Sequence, residues 1–422
     1  MRALLEQSFR AAVAAADPLR ILAAHLPHPP RGHTLVIAAG KAAASMSLAV
    51  ERAWPADAPL EGLAITRYRH SLPTARVRVV EAGHPVPDEA GEAAAREMLG
   101  RVRLLGEGDL LLALISGGGS SLLSLPAEGI SMRDLKALTS QLLRCGASIQ
   151  EINTVRKHLS AIQGGRLAAA CQAPVLALIV SDVTGDDPTH IASGPCAPDP
   201  TTYRDALDVA AKYGVDLAAS VRARLEDGAR GRIAETPKPG DAVFARAENR
   251  VVATAHRSLE AAAGVFRERG IEPVILGDTV TGEAAEVAKV MAALVRELRR
   301  YGTPFRPPVA LISGGECTVT LRGAGGRGGR CSEFLLALAI ELEGVADIHA
   351  LAADTDGIDG SEDNAGAMLA PDTLARARSL GLDPAKHLSA HDSYGLFATL
   401  GELLVTGPTL TNVNDYRAIV VA

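Results

Sequence analysis

The sequence predicts an α/β fold in two domains: a doubly wound, Rossmann-like parallel sheet in the N-terminal half and a mixed sheet in the C-terminal half. Three observations carry this. Apolar runs of strand length alternate with helical patterns, which is the order of βα units. Composition is 47% hydrophobic but only 3% aromatic, the profile of an enzyme rich in Ala, Val and Leu rather than of a β-sandwich. The 422 residues also exceed one ordinary core, so two domains are expected.

In the first half the strand signals are TLVIAA (34–39), LAIT (63–66), VRVVEA (77–82), LLLALIS (110–116) and VLALIVS (175–181). Helical patterns separate most of them: Lys41 to Ala53, Asp88 to Leu105, a stretch after Ser120, and Ser148 to Ala170. The prolines of TPKPGD (236–241) resist both helix and central strand, so the domains are expected to be 1–240 and 241–422. The second half offers RVVAT (250–254), EPVIL (272–276), PVALIS (308–313), CTVTLRG (317–323), IHALAA (348–353) and RAIVV (417–421). CTVTLRG alternates like a half-exposed strand, and the short SGGE before it suits a hairpin with PVALIS, so the second sheet is expected to be mixed.

Charge and cysteine usage exclude several classes of function. The formal net charge of −6 comes from 43 basic and 49 acidic residues mixed along the chain, with no basic stripe for nucleic acid. Cys145, Cys171, Cys196, Cys317 and Cys331 are odd in number and never spaced as CxxC, which reads as reduced thiols in a cytoplasmic protein. The Ala-rich N-terminus is interrupted by Glu6, Arg10, Asp17 and Arg20, unlike a signal peptide, and no apolar run reaches membrane-spanning length.

Ligands of a doubly wound sheet bind at the carboxyl ends of its strands. There LLLALIS runs into Ser116, Gly117, Gly118, Gly119, Ser120 and Ser121, a turn whose backbone N–H groups could converge on a phosphate or could simply connect strand to helix. Lys41 follows TLVIAAG, where its ammonium would meet an anion or lie solvated. VSDVTGDDPTHIASGP (180–195) is a long polar loop with Asp182, Asp187, His190 and Ser193, of the kind that carries function. His84 in GHPVPDEAG reads more as structural.

RGAGGRGGR (322–330) matches GxGxxG through Gly323, Gly325 and Gly328, with Asp354 ending the following strand, the pattern of a dinucleotide site. Arg327 and Arg330 make it unusually cationic, and the alternative is a loop that delivers Arg330 to a phosphoryl group. LAADTDGIDG (351–360) sets Asp354, Asp356 and Asp359 after a strand, where carboxylates suit Mg²⁺ or sugar hydroxyls, or form turns. No GxxxxGK[ST], HExxH or GxSxG motif is present.

Taken in order, AAGKAA, GHPVPDEAG, LISGGGSSLL, INTVRKHLSAIQGGRLA, SDVTGDDPTHIASGP, SGGECTVTLRG, GGRCSEF, TDGIDG and VTGPTLTNVND resemble the glycerate 2-kinase family with a MOFRL C-terminal domain, whose members are often labelled hydroxypyruvate reductase. The resemblance implies two α/β domains with the active site in the cleft between them, and phosphorylation of D-glycerate at its 2-hydroxyl by ATP with Mg²⁺. It makes Lys41 and Arg330 the catalytic cations. The expected cofactor-binding positions are Ser116, Gly117, Gly118, Gly119, Ser120, Asp182, Gly314, Gly315 and Glu316, and the candidates for metal are Asp187, Asp354 and Asp356. The expected partners are glycerate and ATP, not nucleic acid or membrane, and a homo-oligomer is left open. Two positions depart from the family pattern: Cys331 stands where Asn is usual, and Leu410 stands where the turn usually has Gly. An NAD(P)H-dependent reductase and a non-catalytic sugar-acid binding protein are the alternatives.

Overall fold

The computed structural model describes residues 1–321, 325–343 and 345–422. They form two compact units, Pro18–Val252 and Met1–Asp17 with Ala253–Ala422.

The first unit holds β1 (Thr34–Ala39), β2 (Leu60–Arg67), β3 (Val77–Ala82), β4 (Leu110–Ser116), β5 (Val175–Val180) and β6 (Ala247–Ala253). Their order is β3-β2-β1-β4-β5-β6, and the pairings from β3 to β5 are parallel. β1, β4 and β5 are buried along their whole length, as their unbroken apolar sequences require of strands covered on both faces. The helix Glu89–Val102 covers one face with Ala94, Ala95, Met98, Leu99 and Val102, spaced at helical period. Asp88 starts that helix by accepting the Gly91 N–H at 3.0 Å.

Three expectations for this unit are corrected. RVVA of the predicted strand RVVAT lies in β6 and extends the first sheet instead of opening the second, while Thr254 caps the following helix. TPKPGD lies inside the first unit, where the Asp199 N–H donates to the Pro237 carbonyl at 2.8 Å. The stretch Ser148 to Ala170 divides into helices Ile149–His158 and Arg166–Ala169, because Gly164 and Gly165 take left-handed φ of 61° and 77° between them.

In the second unit are β7 (Glu272–Gly277), β8 (Gly282–Glu283), β9 (Val309–Ser313), β10 (Cys317–Thr318), β11 (Ile348–Asp354), β12 (Gly366–Leu369), β13 (Leu403–Leu404) and β14 (Asp415–Val421). The sheet order is β13-β12-β11-β14-β9-β7, antiparallel except for β7 with β9, so the sheet is mixed. The expected hairpin between PVALIS and CTVTLRG does not form. Both edges of β9 are taken, by β14 and β7, so the chain after Ser313 finds no partner there. Among the described residues of CTVTLRG, Cys317 and Thr318 form a strand, pairing in parallel with β8. Arg322 and Gly323, part of that predicted strand and of the GxGxxG match, lie outside the described residues. The N-terminal helix Arg2–Ala15 packs Leu4, Leu5, Phe9 and Ala12 on Leu259, Ala262, Ala263 and Phe266, which places residues 1–17 in this unit.

Candidate active site

In the first unit the chain leaves β1 toward β2 on one side, while β4 lies on the other, and the crevice outside such a reversal point is where doubly wound sheets take ligands. Ala39 is in register with Ile115, so Gly40 and Lys41 emerge beside Ser116 and Gly117. The Lys41 N–H donates to the Gly117 carbonyl at 2.8 Å and the Ala42 N–H to Ser116 Oγ at 3.0 Å. Lys41 lies in the turn before the helix Ala43–Ala53 rather than within it. Gly118 has φ of 79°, and a Cβ there would come within 2.9 Å of His84 Nε2 and 3.3 Å of Lys41 Cγ. The structure therefore brings Lys41, Ser116, Gly117, Gly118 and His84 together, and His84, read from sequence as structural, sits against the glycine turn. The helix that follows is the single turn Gly119–Leu122, so the turn itself, rather than a long helix dipole, faces the crevice.

A polar network supports the other flank of this turn. Ser120 Oγ is 2.9 Å from Ser193 Oγ, which donates to Asn153 Oδ1 at 3.0 Å, and Asn153 Nδ2 donates to the His190 carbonyl at 3.1 Å. Gln163 Nε2 donates to the Ser120 carbonyl at 2.9 Å. A Cβ on Gly119 would lie 2.5 Å from Ala192 Cβ, so only glycine lets the two loops approach this closely. Asp182 is half-buried just after β5. Asp187 is exposed and its Oδ1 accepts the Thr189 N–H at 2.8 Å.

Arg330 opens the helix Arg330–Glu341 of the second unit. Three carboxylates surround its guanidinium: Nε meets Asp415 Oδ1 at 2.8 Å, Nη2 meets Asp354 Oδ2 at 2.7 Å, and Nη1 meets Glu316 Oε1 at 2.9 Å. Burial opposes its charge, but Asp415, Asp354 and Glu316 outweigh burial and hold the guanidinium well above its ordinary value. Fully buried Arg417 balances the second oxygen of Asp415 at 2.6 Å and donates to the Gly314 carbonyl at 2.8 Å. Gly315, at φ of 94°, leaves no room for a Cβ beside the Val280 backbone. Arg330 thus arrives neutralised, and only exposed Glu316 could give way cheaply to an incoming anion.

The aspartates of TDGIDG have defined local roles. Asp354 Oδ1 accepts the Asp356 N–H at 2.9 Å, and Asp356 Oδ1 accepts the Ile358 N–H at 2.8 Å. Asp359 caps the helix Arg330–Glu341 from outside, accepting the Cys331 and Ser332 N–H groups at 2.9 and 2.8 Å. Among the described residues no group of three or more His, Cys, Asp or Glu side chains is arranged to hold a metal ion. The dinucleotide reading of 322–330 loses its structural context. The preceding strand is the two-residue β10 outside the main sheet, and Asp359 occupies the amides a pyrophosphate would need.

Family models match residues 4–226, described as a domain of unknown function (DUF4147), and residues 309–415, described as the MOFRL family. A D-glycerate 2-kinase of Thermotoga maritima is 39% identical over 98% of this chain and 97% of its own length. A glycerate 2-kinase of Pyrococcus horikoshii is 42% identical over 91% of this chain and 86% of its own. The chain belongs to the glycerate 2-kinase family with a MOFRL domain. A family relative from Agrobacterium vitis, 51% identical over 100% of this chain and 94% of its own length, is provisionally named a hydroxypyruvate reductase. The crystal structure of a Thermotoga maritima glycerate kinase superposes with a TM-score of 0.87 at 38% identity, over 100% of this chain and 99% of that one.

Within the family pattern, the two departures have physical readings. The Cys331 side chain is wholly buried in the apolar core of the second unit, and burial raises its thiol well above the ordinary value, so it stays protonated and offers no contact beside Arg330. Leu410 has φ of 61°, the left-handed conformation that glycine adopts without strain. Leu410→Gly is expected to stabilise the protein by about 1 kcal/mol, raising Tm by roughly 2–4 °C in calorimetry. A lower Tm would show that packing of the half-buried leucine outweighs the backbone strain.

Proposed function

We propose that this chain is a glycerate 2-kinase that transfers the γ-phosphoryl group of ATP to the 2-hydroxyl of D-glycerate. The observation that carries the reading is full-length similarity to glycerate 2-kinases on a fold whose sheet-edge crevice sets Lys41 against a left-handed glycine turn. In the transfer the 2-hydroxyl oxygen forms a bond to phosphorus, the bond to ADP breaks and the hydroxyl proton leaves. Such a transition state spreads negative charge over the phosphoryl oxygens, so positioning and cationic stabilisation dominate.

Lys41 supplies one positive charge and the turn 116–120 supplies backbone donors. Arg330 supplies a second charge once Glu316 yields its Nη1. Mg²⁺ neutralises phosphate charge when bound. The carboxylates fit a metal carried in by the nucleotide and touched by one or two side chains, because Asp354 is already paired with Arg330. Asp182 and Asp187, on the loop after β5, are the remaining acidic candidates for that contact.

The test is product analysis. With D-glycerate, ATP and Mg²⁺ the purified protein is expected to form 2-phosphoglycerate and ADP, distinguished by phosphorus NMR. Exclusive 3-phosphoglycerate would overturn the regiochemistry. Rapid NADH oxidation with hydroxypyruvate and no phosphorylation would overturn the kinase reading. Among the described residues no helix is long and apolar enough to cross a membrane.

A further inference from the structure

Arg156 lies on the helix Ile149–His158, three residues after Asn153. Its Nη1 donates to Asn153 Oδ1 at 3.3 Å, and among the described residues it forms no ion pair with a carboxylate. Partial burial pulls its guanidinium down from its ordinary value to about 10. By contrast, three cations with buried acidic partners are neutralised: Lys157 lies 3.3 Å from Asp199, Arg417 meets Asp415, and Arg330 meets three acids. A half-buried guanidinium without a counter-charge is partly desolvated in the unliganded fold, a cost that an arriving anion would offset.

The surroundings point the same way. Arg156 shares the acceptor Asn153 Oδ1 with Ser193 Oγ, and Ser193 Oγ reaches Ser120 Oγ at the end of the glycine turn. Ala192, Ser193 and Gly194 all take left-handed φ, at 51°, 59° and 60°. Two of the three are not glycine, so the backbone holds strain at this point, of the kind that persists where a ligand site over-determines the chain. Uncompensated charge and strain therefore converge on the β5 flank of the turn, while Lys41 occupies the β1 flank.

We propose that Arg156 binds an oxyanion of the reactants, a carboxylate or a phosphate, at the β5 flank of the glycine turn. The planar fork of the guanidinium suits either group through paired hydrogen bonds. The naming of the reactants rests on the kinase reading above. The carboxylate source is D-glycerate and the phosphate source is ATP.

Arg156→Met and Arg156→Lys separate the outcomes. Calorimetric titration with D-glycerate, ATP and inorganic phosphate as separate probes reads the site whether or not turnover occurs. Arg156→Met is expected to weaken one of these probes at least tenfold, with KM for the matching substrate rising similarly and the other KM unchanged. Loss on glycerate identifies the carboxylate, and loss on ATP and phosphate identifies the phosphoryl group. Arg156→Lys should recover only part of the affinity. In the unliganded state the Met variant is expected to melt no lower than wild type, since it removes an uncompensated charge. Unchanged affinity for all three probes would overturn the proposal, as would a lower Tm with both KM values intact. A wild type that binds the probes but makes no phosphoglycerate would defeat the kinase reading alone.

Discussion

Arg330→Ala is expected to lower kcat by about two powers of ten or more, close to 3 kcal/mol of transition-state stabilisation. It is also expected to lower stability, which the sequence does not suggest. Asp415 is fully buried and Asp354 nearly so, and removing Arg330 leaves both with less counter-charge. Removing one partner of a buried ion pair costs several kcal/mol, and the quarter of the Arg330 side chain that remains exposed reduces this to about 2–3 kcal/mol. The assay must therefore run well below the lowered Tm. Arg330→Lys keeps a charge near the acids and should recover part of the Tm. It should recover little of kcat, because an ammonium cannot hold Asp415 and Asp354 through separate nitrogens while presenting a third to the phosphoryl group. Near-wild-type kcat in folded Arg330→Ala would make this arginine a structural tie between the Asp354 and Asp415 strand ends.

Lys41→Ala should produce a kcat loss of similar size with little change in Tm, because the backbone bonds from Lys41 and Ala42 to the β4 turn survive the truncation. Gly118→Val tests the same crevice from the opposite side. The new side chain meets His84 and Lys41, and its backbone must hold φ of 79°, so both the geometry and the ligand space suffer. Calorimetry is expected to show ATP binding weakened beyond what the fall in Tm explains. Wild-type turnover in Lys41→Ala would make Lys41 a surface charge. Unaltered ATP affinity in Gly118→Val, with a collapsed Tm, would make the turn purely structural.

The residues these variants probe differ in how they become visible. Lys41 and the turn 116–120 are legible in sequence because they sit directly after apolar runs, and an uninterrupted buried run locates a strand end without knowledge of its neighbours. His84 is not legible in this way. Its loop follows β3, at the sheet edge, and only the fold carries it back to Gly118. Arg156 gives no signal either, since one arginine in a helical pattern looks like any solvated charge until burial and the lack of an acidic partner are seen.

By itself the sequence determined the α/β class, most strand positions and the family, because period, burial run and ordered motifs are local properties of the chain. The second sheet is mixed as expected, but through β9, β11, β12 and β14 rather than through the expected hairpin. Tertiary structure alone decided which strands became neighbours. RVVA of RVVAT joined the first sheet in β6, CTVTLRG lost its hairpin because β14 and β7 had taken both edges of β9, and the N-terminal helix packed with the C-terminal unit. It also decided the electrostatics, setting Asp354 on Arg330 and Asp359 on the start of the helix Arg330–Glu341 when sequence allowed either to hold a metal or a sugar hydroxyl. The physical reason is the same in both cases. Edge pairing and charge neutralisation depend on what distant segments bring to a point in space, and no local pattern records that.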